Sequence, residues 1–386
     1  MHHWRLLILT SGTALLATVA ATPVVMRLSR GFIDRERAEP GDTGPIPVPR
    51  LGGVAVLVGA LAGIGLPLWL TGYSGTLLGA ARYHWIGWLG AVIALFLCGV
   101  VDDIRGLGPF TKLAIQTAGA LAVFAAGFRV EFVRLPWGGV LDLGLLALPL
   151  TILWIVGVTN AINLIDGLDG LAAGVAFMSA ATVVAISYFQ GVFPVTVISV
   201  ALAGSLLGFL AFNFSPARIW LGDSGSQFLG FTLAVISIRG LQKSATAVAI
   251  LAPILVLGVP ILDTLLVVLR RGWRIHRAGR TGPAATGAAA RWLGLFHADR
   301  EHIHYNLLDL GLSHRKAVVV LYATAAVFCL AAFGLVTERQ PLLAVLLAAA
   351  AALEMAGVKL LAVWKRGEAA PRRGRARRST LLRPQR

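Results

Sequence analysis

The chain has 386 residues, 57% of them hydrophobic and only 13% charged, against roughly 25% charged in a typical soluble domain. Its formal net charge is +16. A water-soluble globular domain is excluded, because the apolar residues come in blocks long enough to cross a bilayer, where the backbone must satisfy its own hydrogen bonds.

In chain order the blocks lie near 4–27, 52–70, 85–101, 112–128, 144–162, 170–190, 194–213, 226–241, 246–269, 317–335 and 341–363. They predict an all-α integral membrane protein of about 11 (10–11) transmembrane helices; ten is the alternative because 144–162 and 226–241 are polar at their ends. The first block continues through Pro23-Val24-Val25-Met26 with no small-residue cleavage site, which argues for a span and not a removed leader. Segments 27–50, 102–112, 214–225, 270–316 and 364–386 hold most of the 34 Lys and Arg residues. That asymmetry places the N-terminus outside and these segments in the cytoplasm. Residues 1–364 form the membrane domain, and 365–386 read as a basic, disordered tail. The basic residues sit beside spans and in that tail, which suits anionic lipid headgroups and topology control and not nucleic acid. The stretch from Gly279 to Ala290 reads as a flexible insertion. Cys98 and Cys329 fall inside spans and read as small packing residues.

With only 18 acidic residues, their positions carry information. Asp102 and Asp103 end the third block, where the helix dipole disfavours negative charge. They are either solvated boundary residues or ligands of a divalent cation. Asn160, Asn163, Asp166 and Asp169 recur at a spacing of three, which drifts by about 60° per step on a straight helix. Gly167 and Gly170 allow the tighter turn that would gather them into a polar pocket; an ordinary Asn/Asp/Gly turn is the alternative. Asn213 and Gly222-Asp223-Ser224-Gly225-Ser226 precede the eighth block. Asp223 there suits a hard cation and the helix start suits phosphate. His302 and His304 precede the tenth block and read as phosphate contacts or as solvated loop residues; a softer metal would need cysteines that are absent nearby. Positive residues set the topology, and it brings all these clusters to one face. Asp263 lies within the ninth block, where an acidic residue implies function or a buried partner. Glu354 and Lys359 in the last block read as structural.

Taken in order, the motifs resemble the polyprenyl-phosphate N-acetylhexosamine-1-phosphate transferases. The matching segments are Val101-Asp102-Asp103-Ile104-Arg105-Gly106-Leu107 with Lys112 and Gln116, Asn160 to Leu171, Asn213 to Ser226, and His302-Ile303-His304 with Gly311-Leu312-Ser313-His314-Arg315. The short interval from Asp103 to Lys112 and the histidine loop are closer to the GlcNAc-1-phosphate branch than to the phospho-N-acetylmuramoyl-pentapeptide transferases. Two positions depart from the family pattern: His304-Tyr305-Asn306 replaces a usual His-His-Arg, and Glu39 to Gly44 replaces a Lys-x-His before Pro45-Ile46-Pro47.

The resemblance implies a bacterial inner-membrane, multi-pass enzyme with a cytoplasmic active site. Its substrates would be a UDP-N-acetylhexosamine and undecaprenyl phosphate, its cofactor Mg2+ with Mn2+ as a substitute, and its released product UMP. Asp223, with Asp102 or Asp103, is then the expected metal ligand set, and Asp102 or Asp103 would position or deprotonate the lipid phosphate. Asp166, Asp169, Asn160, Asn163 and Asn213 would orient nucleotide and sugar. Lys112, Arg300, His302 and His304 would contact phosphates. A transporter or flippase and a CDP-alcohol phosphotransferase are the competing readings, and a homodimer is compatible with the sequence. Polar groups gathered at one surface disfavour the transporter, and Gly167-Leu168-Asp169-Gly170 lacks the second enzyme's Asp-Gly-x-x-Ala-Arg pattern.

Overall fold

A computed structural model describes residues 3–37, 48–72, 82–134, 139–241, 251–281, 302–337 and 341–380. The predicted apolar blocks are helical, as α1 (His3–Arg37), α2 (Gly52–Thr71), α3 (Arg82–Arg105), α4 (Pro109–Ala125), α5 (Ala147–Ile165), α6 (Leu171–Phe189), α7 (Phe193–Asn213) and α8 (Gly222–Leu241). They are followed by α9 (Leu251–Val256), α10 (Gly258–Thr281), the short α11 (Ile303–Asp309), α12 (His314–Val336) and α13 (Pro341–Thr380). Among the described residues, eight helices are long and apolar enough to cross a membrane: α1, α2, α3, α5, α6, α7, α12 and α13.

Three details depart from the predicted layout. A two-stranded antiparallel hairpin, β1 (Phe132–Arg134) and β2 (Val140–Asp142), joins α4 to α5, so the chain is not wholly helical. Phe132 faces Asp142 and Val133 faces Leu141 in that ladder, short β-prone segments flanking a Pro- and Gly-containing turn sequence. The block read as one span at 246–269 is broken between α9 and α10. Pro260 has no N–H to give to the carbonyl of Val256, and this ends the first helix. The last helix continues to Thr380, through residues assigned above to the tail.

At the centre stands α8, which packs against α2, α3, α5, α6 and α7. Nearly all its side chains from Ser224 to Ile238 are buried. A helix enclosed by protein need not be as apolar as one facing lipid, so α8 tolerates Asp223, Ser226, Gln227, Thr232 and Ser237. Glycines set the approach of its neighbours: a Cβ at Gly53 of α2 or Gly99 of α3 would strike the α8 backbone at Gly225 or Ser224. The start of α8 is thereby wedged between the ends of α2 and α3.

Candidate active site

Asp103 shapes the site by capping the start of α8. Its Oδ1 accepts the Asp223 N–H at 2.7 Å and its Oδ2 accepts the Ser224 N–H at 3.0 Å. These are orphan amides of a helix start, and a carboxylate from another helix satisfies both while countering the positive end of the α8 dipole. The turn before them needs Gly222, whose φ is +75°. A side chain there would also collide with Arg50 O and the Asp103 carboxylate.

Around that capped end, three helices contribute polar side chains. Asp102, at the end of α3, is buried and accepts the Leu107 N–H at 2.5 Å on one oxygen. Its other oxygen pairs with Lys112 Nζ, from the first turn of α4. The same ammonium reaches Asp223 Oδ2 at 2.5 Å. Asn163, near the end of α5, donates at 2.8 Å to Asp223 Oδ1 and at 2.8 Å to Ser226 Oγ. Two carboxylates from different helices thus share one cationic group at an end of the bundle.

Asp166 closes α5, with its N–H donating to Asn163 O at 3.3 Å. Burial pushes its carboxyl up to about 8, and the nearby charges of Asp223, Asp103 and Asp169 add to the shift. Without a cation it therefore holds a proton at neutral pH; a divalent ion nearby would reverse that preference.

Several residues expected to orient a ligand also hold the loops. Asp169 accepts the Ala217 N–H at 3.0 Å and Trp220 Nε1–H at 3.1 Å. Asn213 is buried and donates to Ile219 O at 2.9 Å. Together they set the 214–221 segment beside the site. Asn160 donates to Gln116 Oε1 at 2.7 Å, and Gln116 lies 3.5 Å from Gln227 Oε1. This amide layer sits one helical turn below Lys112 and Asp223 and separates them from the apolar interior.

The histidine loop meets the turn that follows α5. His304 is buried, and neither ring nitrogen has a hydrogen-bond partner among the described residues. It packs on Gly167, where any Cβ would meet its Nε2. Burial lowers its pKa to about 4, so it is neutral. His302 stacks on it with ring planes 9° apart, and its Nδ1 lies 2.9 Å from Asp263 Oδ2. Arg300, Glu39 and the stretch from Gly282 to Ala290 lie outside the described residues.

Sequence reasoning assigned no role to Gln227, Trp220 or Arg50, and none linked Asp263 to Lys359. Trp220 is partly exposed and carries the Arg50 guanidinium 5.4 Å from its ring centre. An aromatic three residues before a helix-start aspartate is too common to single out; the two charges within apolar blocks were the usable signal for Asp263 and Lys359.

Among the described residues, no three carboxylate, imidazole or thiol groups converge as a ready-made metal cage. The arrangement offers two carboxylates, a lysine, amides and a helix start, which together suit a phosphorylated ligand.

Residues 85–241 match glycosyl transferase family 4. The chain is 36% identical over 323 residues to the probable undecaprenyl-phosphate N-acetylglucosaminyl 1-phosphate transferase of Bacillus subtilis, covering 83% of each chain. It is 35% identical to the decaprenyl-phosphate N-acetylglucosaminephosphotransferase of Mycobacterium leprae, over 82% of this chain and 81% of the relative. Similarity to the phospho-N-acetylmuramoyl-pentapeptide-transferase of Anoxybacillus flavithermus is lower, 28% over 84% of this chain and 96% of the relative.

Proposed function

Because the chain is a multi-pass membrane member of glycosyl transferase family 4, we propose that it transfers N-acetylglucosamine 1-phosphate from UDP-GlcNAc to undecaprenyl phosphate, releasing UMP and initiating an envelope polysaccharide. An oxygen of the lipid phosphate bonds to the β-phosphorus of the donor. The bond from that phosphorus to the bridging oxygen breaks, and UMP departs with the electron pair. The convergence of Lys112, Asp102, Asp223 and Asn163 carries this reading, since it joins a cationic contact to carboxylates at one helix start.

Lys112 binds phosphate oxygens and offsets their charge. Asn163 holds the Asp223 carboxylate in one orientation. Asp103 keeps the first amides of α8 in place, and Asp169 and Asn213 hold the loop before it. His302 and His304 close the site from the α11 side. The residues fit Mg2+ or Mn2+: Asp102 and Asp223 already converge on one cationic group, and Mg2+ characteristically takes one or two carboxylates with its remaining positions filled by phosphates and water. When bound, the ion neutralises the diphosphate and assists departure of UMP.

An apolar cavity of about 470 Å³, lined by Trp154, Val158 and Ala161 of α5 and Ile261, Leu265 and Val268 of α10, suits the polyprenyl tail. Ala161 adjoins Asn160, so a lipid held there brings its phosphate toward the polar end of α5. The full topology on this reading has eleven crossings, adding α4, α8 and the α9–α10 pair to the eight apolar helices. The N-terminus is then outside and the site cytoplasmic, in a bacterial inner membrane.

The test is release of UMP by the purified enzyme supplied with undecaprenyl phosphate and a panel of UDP-sugars. UDP-GlcNAc should be the preferred donor, and Asp223→Asn should abolish turnover without loss of expression. Preference for UDP-MurNAc-pentapeptide, or near-normal turnover by Asp223→Asn, would overturn the donor or the site assignment respectively.

A further inference from the structure

Asp263 sits fully buried in α10, yet every part of its carboxylate is used. Oδ2 lies 2.9 Å from His302 Nδ1; Oδ1 accepts the Ile303 N–H at 2.8 Å and faces Lys359 Nζ at 2.8 Å. Lys359, itself buried in α13, also donates to the Asp263 backbone carbonyl at 3.0 Å. A buried ion pair adds little stability over an apolar pair of the same shape, because desolvation offsets the attraction. Its distinctive contribution is direction. Here the direction is toward the histidine loop: the carboxylate caps the first amide of α11 and fixes one nitrogen of His302.

We propose that Asp263 and Lys359 are positioning residues for the transfer reaction, a proposal that rests on the transferase reading above. Asp263 accepts a hydrogen bond from His302 Nδ1–H, which fixes a proton on that nitrogen and leaves Nε2 as the nitrogen that faces a phosphate. Lys359 holds the Asp263 carboxylate in one rotamer, through contacts at Oδ1 and at the backbone carbonyl. The stacked His304, set on Gly167 next to Asp166, carries the alignment to the α5 end. The last helix thereby governs the histidine wall of the site through Lys359.

Four variants separate positioning from mere support: Asp263→Asn, Lys359→Met, the Asp263→Asn/Lys359→Met double and Lys359→Arg, with Glu354→Gln on the same helix as a control. The double variant removes both buried charges, so it remains folded even if a single variant does not. Positioning predicts that the folded double variant still loses about tenfold or more in kcat for UMP release, with donor KM changed by less than about threefold. Lys359→Arg and Glu354→Gln should stay within about threefold of wild type. Restoration of full kcat by the double variant would show a structural pair only and sink the proposal.

The ring itself gives a readout independent of turnover. Imidazole 15N shifts, assigned with His302→Gln, should show the Nδ1–H tautomer in the wild type and its loss in the double variant. An Nε2–H tautomer in the wild type would overturn the proposal even in an active enzyme. Wild-type protein that releases no UMP from any donor, yet shows the Nδ1–H tautomer, would instead overturn the transferase reading.

Discussion

The Lys112 ammonium lies 2.5 Å from the Asp223 carboxylate although 111 positions separate the two residues. It also pairs with Asp102, so one side chain from α4 links the end of α3 to the start of α8. Removing it leaves two carboxylates facing each other and, on the proposed function, a bound diphosphate without its cationic contact. Lys112→Met should lower kcat by about 10²–10³, the usual effect of losing one preorganised charge-stabilising group. Lys112→Arg should recover part of that loss. UMP release within about fivefold of wild type in Lys112→Met would rule out the phosphate contact.

Asp103 acts on the backbone of α8, and its loss should appear as instability before it appears as lost chemistry. Asp103→Ala should cost about 1–2 kcal/mol, in the range for deleting a helix cap. Asp103→Asn, which keeps one acceptor oxygen, should cost less. Unfolding of purified protein in detergent measures both, and unchanged stability of the alanine variant would refute the capping role.

Gly222→Ala combines two penalties. The backbone φ of +75° is poorly tolerated by a residue with a Cβ, and that atom would meet Arg50 O and the Asp103 carboxylate. The backbone part alone is worth roughly 1–3 kcal/mol. The start of α8 should shift, so turnover should fall by more than about tenfold while the protein still inserts. Wild-type kcat in this variant would mean that the turn does not need glycine.

His304 predicts an acid-side loss of stability. Its folded pKa is about 4 and its unfolded value near 6.5, so the folded state resists protonation. Stability from this group is complete above pH 6.5 and is lost as pH falls toward 4, to a total on the order of 3 kcal/mol. His304→Asn should flatten the stability profile across that window. An unchanged slope between pH 6.5 and 4 would show that the ring is not held neutral.

Chelation should stop turnover, and Mg2+ should restore it better than Mn2+. Because the described residues offer two carboxylates and no closed cage, metal binding should be weak alone and strengthen with UDP present. Calorimetry with and without UDP tests this; tight binding of Mg2+ to the protein by itself would contradict the shared ligand set.

Local chemistry written along the chain was enough to mark the helical blocks and the four polar motifs. Hydrocarbon-length apolar runs declare themselves without neighbours, and Asp or Asn at their ends is costly enough to be conspicuous. Gly222 and the Asp223-Ser224 helix start were legible for the same reason, since a turn and a cap are short-range events. What each polar group does was decided only by the folded packing. Asp102 and Asp103 are adjacent in sequence, yet one pairs with Lys112 and the other caps α8, because successive helical side chains point about 100° apart toward different neighbours. Asp169 and Asn213 became loop anchors, α8 became the enclosed central helix, and Asp263 met Lys359 across 96 residues. Such pairings depend on which helix faces cross in space, and no pattern within a single helix specifies that.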